Sequence, residues 1–277
     1  MCPPIRDAPT CSSCASALYV KCPAGVIGLW LRDIEAAIAK GKSLGEIRGL
    51  LDSSGLRVGE LCFLGGWHDA ADEAQFKEVL SQTRRICEVA RALACEIVAT
   101  VPALGPGWVK RGPERFRQVC KVAADYRVRM ALEFAGVAAE VKDLRSARDL
   151  IIAAACPNGG LLIDTFHFFL GGSKVTDFER VAPGEVFLVH VSDAMNLPPE
   201  MLRIPGDNRT FPGEGIIDFA PIFKELNRLE YDGTISLEIW NRQFHRSDPA
   251  EVVKRGCESL QQIESTLRNK LRGIVEG

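Results

Sequence analysis

The sequence has no excess of charge of either sign: 34 lysines and arginines stand against 36 aspartates and glutamates, a formal net charge of −2. That balance argues against a face for nucleic acid or anionic lipid and points to a small-molecule partner. No apolar run is long enough to cross a bilayer as a helix, so no membrane role is expected. The first residues, MCPPIRDAPTCSSC, have neither the basic start nor the continuous apolar stretch of a secretory signal, which makes a cytoplasmic location the expectation. No linker, low-complexity tract or composition shift divides the chain, and no glycine-rich phosphate cradle stands out.

What is present is an ordinary globular composition, 47% hydrophobic and 25% charged over 277 residues. That length suits one large barrel or two small domains. Cysteine is the surplus, with 10 residues. Most sit singly in apolar segments, as Cys62, Cys87, Cys95, Cys120 and Cys156 do, where a thiol serves as a small hydrophobe. A disulfide framework belongs to short secreted chains. Cys11 and Cys14, with Cys2 and Cys22 nearby, are zinc-ligand types, but no second CxxC pairs with them and a loose cysteine-rich tail is expected.

From Val26 onward, short apolar runs alternate with longer amphipathic ones. The short runs are VIGLW (26–30), RVGELCFL (57–64), EIVATV (96–101), VRMALEF (128–134), GLLIDTF (160–166), VFLVHV (186–191) and TISLEIW (234–240). Several are apolar at nearly every position, as parallel strands buried on both faces are. Helical spacing marks 71–93, 112–126, 142–155, 218–230 and 248–271, with Asp218 and the pair Asp248-Pro249 as helix starts. This alternation predicts an α/β fold, a (β/α)8 barrel over residues 24–277 behind an irregular segment, 1–23. The first β–α unit is expected to be degenerate or truncated, because Pro3, Pro4 and Pro9 oppose strand pairing and only 12–21 reads as a helix before Val26.

In such barrels the reacting groups stand at the C-terminal ends of the strands. Four consecutive strands, the fifth to the eighth of the expected barrel, end in a ligand-type side chain: Glu133, Asp164, His190 and Glu238. Any one of them alone reads as a surface ion pair. Together they bring carboxylates into a partly buried mouth, which is costly without a counter-charge. A divalent cation removes that cost, and the donor set suits Mn2+, Mg2+, Co2+ or Zn2+.

The segments ALEF (131–134), IDTFH (163–167), HVSD (190–193), NRTFPGEG (208–215) and SLEIW (236–240), in that order, carry a wider resemblance. With GLW (28–30) and WHDAADEA (67–74), they resemble the sugar phosphate isomerase/epimerase family. These are xylose isomerase-like TIM barrels that include inosose isomerases and ketose 3-epimerases. The resemblance covers about residues 24–265. It implies one divalent metal, Mn2+ foremost, on Glu133, Asp164, His190 and Glu238, with Glu133 and Glu238 also exchanging protons with substrate. It further implies that His167 and Arg209 contact a polyol ketone. Related barrels commonly associate, so a homo-oligomer is compatible with the reading.

Other residues carry two readings each. Trp30 either walls the pocket by stacking on a sugar face or packs in the core. His68, in the GGWHD loop, either reaches the mouth or is merely solvated, and His245 is expected in solvent. Asp193 is expected to orient a neighbour or to support His190. Rival functions are a lyase like 3-dehydroshikimate dehydratase, which shares the first proton abstraction, and a barrel that binds metal or ligand without turnover. Endonuclease chemistry on related barrels needs a histidine-rich zinc cluster, and this chain has 4 histidines.

Overall fold

A computed structural model describes residues 25–275 except residue 205, with side chains described up to residue 263. The cysteine-rich tail and the expected helix at 12–21 lie outside the described residues. Among the described residues nine strands occur in chain order: β1 (Val26–Trp30), β2 (Arg57–Leu64), β3 (Ile97–Thr100), β4 (Arg129–Glu133), β5 (Gly159–Asp164), β6 (Val186–Val191), β7 (Asp193–Ala194), β8 (Arg209–Thr210) and β9 (Ile235–Leu237). Seven form one parallel sheet in the order β1-β2-β3-β4-β5-β6-β9, while β7 and β8 pair antiparallel as a small ribbon. All seven expected strands are there. Among the described residues no pairing links the outer edges of β1 and β9, so the barrel is nearly but not fully closed.

The helices between them are α1 (Leu31–Ala39), α2 (Leu44–Ser53), α3 (Glu73–Ala92), α4 (Gly112–Asp125), α5 (Leu144–Ala154), α6 (Thr165–Gly171), α7 (Pro199–Leu202), α8 (Phe219–Arg228) and α9 (Pro249–Val275). The expected starts are real: Asp218 accepts from the Ala220 amide at 3.1 Å, and Asp248 from the Ala250 amide at 3.0 Å. Two helices fill the connection from β1 to β2, and the second opens on a capping box in which Ser43 and Glu46 bond each other's amides.

Alternation along the strands decides what faces the barrel axis. Ile97, Ala99, Ala131, Leu162, Phe187 and Leu188 form one compact cluster, while Val98, Met130, Leu132, Leu161, Ile163, Val189 and Val191 belong to a larger one with the helices. The small cluster is the barrel interior. Side chains two residues further along a strand share its face. Glu133 therefore follows Ala131 inward, Asp164 follows Leu162, and His190 follows Leu188. Parallel register sets Asp164 directly beside His190.

Two boundaries differ from the sequence expectation. The run GLLIDTF was expected to be strand through 166, but β5 stops at Asp164. There the Asp164 carboxylate caps α6, accepting from the His167 amide at 2.7 Å. Likewise β9 covers only three residues of TISLEIW, and Glu238 lies just beyond it with its amide on the Val191 carbonyl at 3.2 Å.

Candidate metal centre

Glu133, Asp164, His190 and Glu238 meet at the C-terminal end of the barrel, each offering one donor atom, with all four atoms within 4.8 Å of one another. The first three are buried, and the Glu238 side chain is 16% exposed, so the cluster opens to solvent on that side. Among the described residues, the buried side-chain atoms without a hydrogen-bond partner are Glu133 Oε1 and His190 Nδ1. Both belong to this cluster. Orphaned buried polar atoms are costly and rare; two of them facing one small space, amid hard oxygen donors, are what a divalent ion satisfies, with release of any proton on the imidazole. The residues therefore fit such an ion.

Arg209, delivered by the β7–β8 ribbon, supplies positive charge to the same space. Its Nη1 donates to Asp164 Oδ2 at 2.8 Å and to Glu238 Oε2 at 3.2 Å, and its guanidinium lies 4.6 Å over the Phe166 ring. His167, one turn into α6, sits with Nε2 3.8 Å from Glu133 Oε1 and 3.1 Å from Arg209 Nη2. The Gly136 amide donates to His167 Nδ1 at 3.2 Å, which holds the ring against the β4–α5 connection. A side chain at Gly136 would meet the Gly171 amide at 2.7 Å, so a glycine is required for this close approach.

The electrostatics divide the two glutamates. Burial, together with the Glu238 and Asp164 charges, holds the Glu133 carboxyl well above the usual carboxylate range. Burial pushes Glu238 the same way, but His190 and Arg209 outweigh it and bring it below that range. His190 is also buried, yet Glu60 and Glu238 raise it well above its usual value. Burial lowers His167 to about 4, so it is neutral near pH 7. Without a cation, the cluster balances its carboxylates with protons and with Arg209.

Other expected residues are placed elsewhere. His68 is buried in a ring stack with Trp67 and Trp108 at 4.9 and 5.2 Å, its Nε2 on the Val101 carbonyl at 3.0 Å and its Nδ1 by Asp69 at 2.9 Å. It is not solvated, and its nitrogens are engaged away from the four donors. Trp30 packs edge-on against Phe63 and Trp240 at 5.1 and 5.6 Å, and Phe63 in turn faces the His190 ring at 6.2 Å. His245 lies 6.2 Å from Trp240 at the rim. Asp193 does not reach the His190 ring; it accepts from the amides of Ala194, Gly213, Gly215 and Ile217 and so shapes the PGEG loop.

The carboxylate that does hold His190 is Glu60, at 2.7 Å from Nε2. Sequence reasoning missed it, along with Phe63 and Trp240. The signal was a charge in the middle of the otherwise apolar run RVGELCFL, where a strand buried on both faces has no place for one. A cavity of about 750 Å3, lined by Trp30, Glu60, Cys62, His190 and Glu238 among others, lies beside β1 and β9.

Fold and donor set together define a parallel α/β barrel with an acidic, metal-type centre at its strand ends. The xylose isomerase-like TIM barrel family matches residues 30–263, and the chain belongs to that family. The inosose isomerase of Halalkalibacterium halodurans is 26% identical over 201 residues, 70% of this chain and 71% of the relative. The 3-dehydroshikimate dehydratase of Pseudomonas aeruginosa is 31% identical over 159 residues, 56% of this chain but 25% of the relative. Both relatives are enzymes. Among solved structures, the IOLI protein with a bound zinc atom superposes with a TM-score of 0.81 at 20% identity, covering 88% of this chain and 89% of the other. At that identity the likeness speaks for the fold alone.

Proposed function

We propose that this chain is a divalent-metal-dependent isomerase or epimerase of a polyol ketone, with an inosose-type cyclitol ketone as the first substrate to try. The observation that carries the reading is the convergence of Glu133, Asp164, His190 and Glu238 with two of their buried donor atoms unpartnered. The similarity to inosose isomerases along 70% of the chain supports the same class. A bound divalent ion, Mn2+ or a related cation, supplies Lewis-acid stabilisation for charge developing on a carbonyl oxygen.

The chain's own groups account for the proton. Glu238, held ionised by His190 and Arg209, is the base for the C–H next to the carbonyl. Glu133 stands across the cluster from Glu238 and is the group that exchanges a proton with the opposite face of the substrate. Return of the proton to the same carbon from the opposite face inverts it. Return to the former carbonyl carbon, with a hydroxyl proton crossing the other way, moves the ketone. His167 and the Arg209 guanidinium orient substrate oxygens, and Trp30, packed against Phe63 and Trp240, walls the pocket on the β1 side.

The test is incubation of metal-loaded protein with an inosose in D2O. Deuterium at a carbon flanking the carbonyl, with an isomeric product, supports the reading. The match to 3-dehydroshikimate dehydratase favours a second reading, in which proton removal is followed by loss of hydroxide. A conjugated product absorbing in the ultraviolet from 3-dehydroshikimate, without exchange into inososes, selects that lyase instead.

A further inference from the structure

We propose that Glu60 is a positioning residue for this centre: its carboxylate fixes which nitrogen of His190 is offered to a metal. The inference rests on the metal reading above and adds a residue from the far side of the barrel. Glu60 lies on β2 and His190 on β6, strands that are not neighbours in the sheet, so their 2.7 Å contact spans the interior. The two side chains are 2% and 1% exposed, so each has the other, and not bulk solvent, as its polar partner.

The chemistry of the contact is one-sided. A carboxylate oxygen 2.7 Å from a ring nitrogen accepts from its N–H, so the ring proton facing Glu60 sits on Nε2. Nδ1 is then the nitrogen that offers a lone pair once its own proton is displaced, and it is the atom left without a hydrogen-bond partner, 3.5 Å from Glu238 Oε2. The strand around Glu60 is built for this placement. The β1–β2 register slips between Ile27 and Gly28, so that Gly28 rather than a larger residue stands opposite Glu60. A β-carbon at position 28 would lie 2.8 Å from Glu60 Oε1 and 3.1 Å from its Cγ. The slip turns Glu60 inward, and the glycine gives its carboxylate room. A pair serving only to fill the core would be met more simply by apolar side chains, because burying two charges is costly. A carboxylate behind a ligating imidazole, by contrast, fixes the ring and raises its basicity.

The experiment compares Mn2+ binding by wild type and Glu60→Gln, read from the free-ion EPR signal, with thermal melts of both metal-free proteins as a fold control. The glutamine keeps size and an acceptor oxygen but removes the charge. Affinity about 10- to 100-fold weaker in the variant is expected. As a second readout, 15N-histidine-labelled wild type loaded with diamagnetic Zn2+ is expected to show the His190 ring proton on Nε2, exchanging slowly with solvent. This holds even if the variant folds poorly. Equal Mn2+ affinity in a folded variant, or a His190 proton found on Nδ1, overturns the role of Glu60 alone. A wild type that takes up no Mn2+ or Zn2+ overturns the metal reading itself, and the proposal with it.

Discussion

Two buried histidines beside carboxylates stand in opposite conditions. In the loop after β2, His68 leans on Asp69, whose side chain is 60% exposed, and closes its other nitrogen on a backbone carbonyl inside a stack of tryptophans. At the end of β6, His190 leans on a buried Glu60 and leaves Nδ1 facing three acidic side chains. The first arrangement is finished: its polar atoms are bonded or can reach water, and it gains by packing. The second leaves two buried polar atoms without a partner, and the proposed metal reading rests on them. Burial of a polar residue is therefore a weak sign of function by itself; burial with a donor atom left over is a stronger one.

The largest effect should come from exchanging the two histidines' fates. His190→Ala is expected to weaken Mn2+ binding by more than about 100-fold, since a ligand matters more than its support. His68→Ala is expected to leave that affinity unchanged while lowering stability by about 1–3 kcal/mol through the lost carbonyl bond and ring contacts. Calorimetric titration and a denaturant melt on both variants separate the outcomes.

Next comes pH. In the cation-free protein Glu133 holds its proton above the usual carboxylate range and His190 is raised as well, so metal uptake must displace protons. Affinity should rise with pH by about tenfold per unit for each proton released. Titrations in buffers of different ionisation enthalpy count those protons, and an affinity flat with pH would erase the contrast with His68.

A smaller effect concerns stability without metal. The Glu133 carboxyl titrates higher in the fold than in the unfolded chain. Its contribution to stability is thus fully present below the unfolded value and is lost as pH rises towards the folded one. Glu133→Gln removes that loss, so the metal-free variant should gain on wild type as pH rises, by a few °C in melting temperature near neutrality. The smallest effect is expected for Asp69→Asn, a change at an exposed partner, at under about 0.5 kcal/mol in a denaturant melt.

Much of this contrast was legible in the sequence, for a simple reason. Strands buried on both faces are nearly all apolar, so a charged residue that ends one, as Glu133 ends β4 and Asp164 ends β5, is conspicuous, and period-two alternation puts it on the barrel axis. Glu60 escaped because the register slip beside Gly28 breaks that alternation. Alternation also could not show that Asp164 would cap α6 and bring His167 round one turn, nor that residues 193–194 and 209–210 would pair to deliver Arg209. His68, expected either to reach the mouth or to lie in solvent, is instead buried, which its local sequence could not show because its partners, Trp108 and the Val101 carbonyl, lie far away in the chain. The one-turn helix α7 and the two helices between β1 and β2 gave no comparably distinct pattern.

The central claim is that the four strand-end residues are the unfinished half of a metal centre. Its most direct test is a titration of Mn2+ into metal-free wild type beside Asp164→Asn, following stoichiometry and affinity. The account predicts one ion per chain in the wild type and a large loss of affinity in the variant. No uptake by the wild type, or uptake indifferent to Asp164, would contradict it.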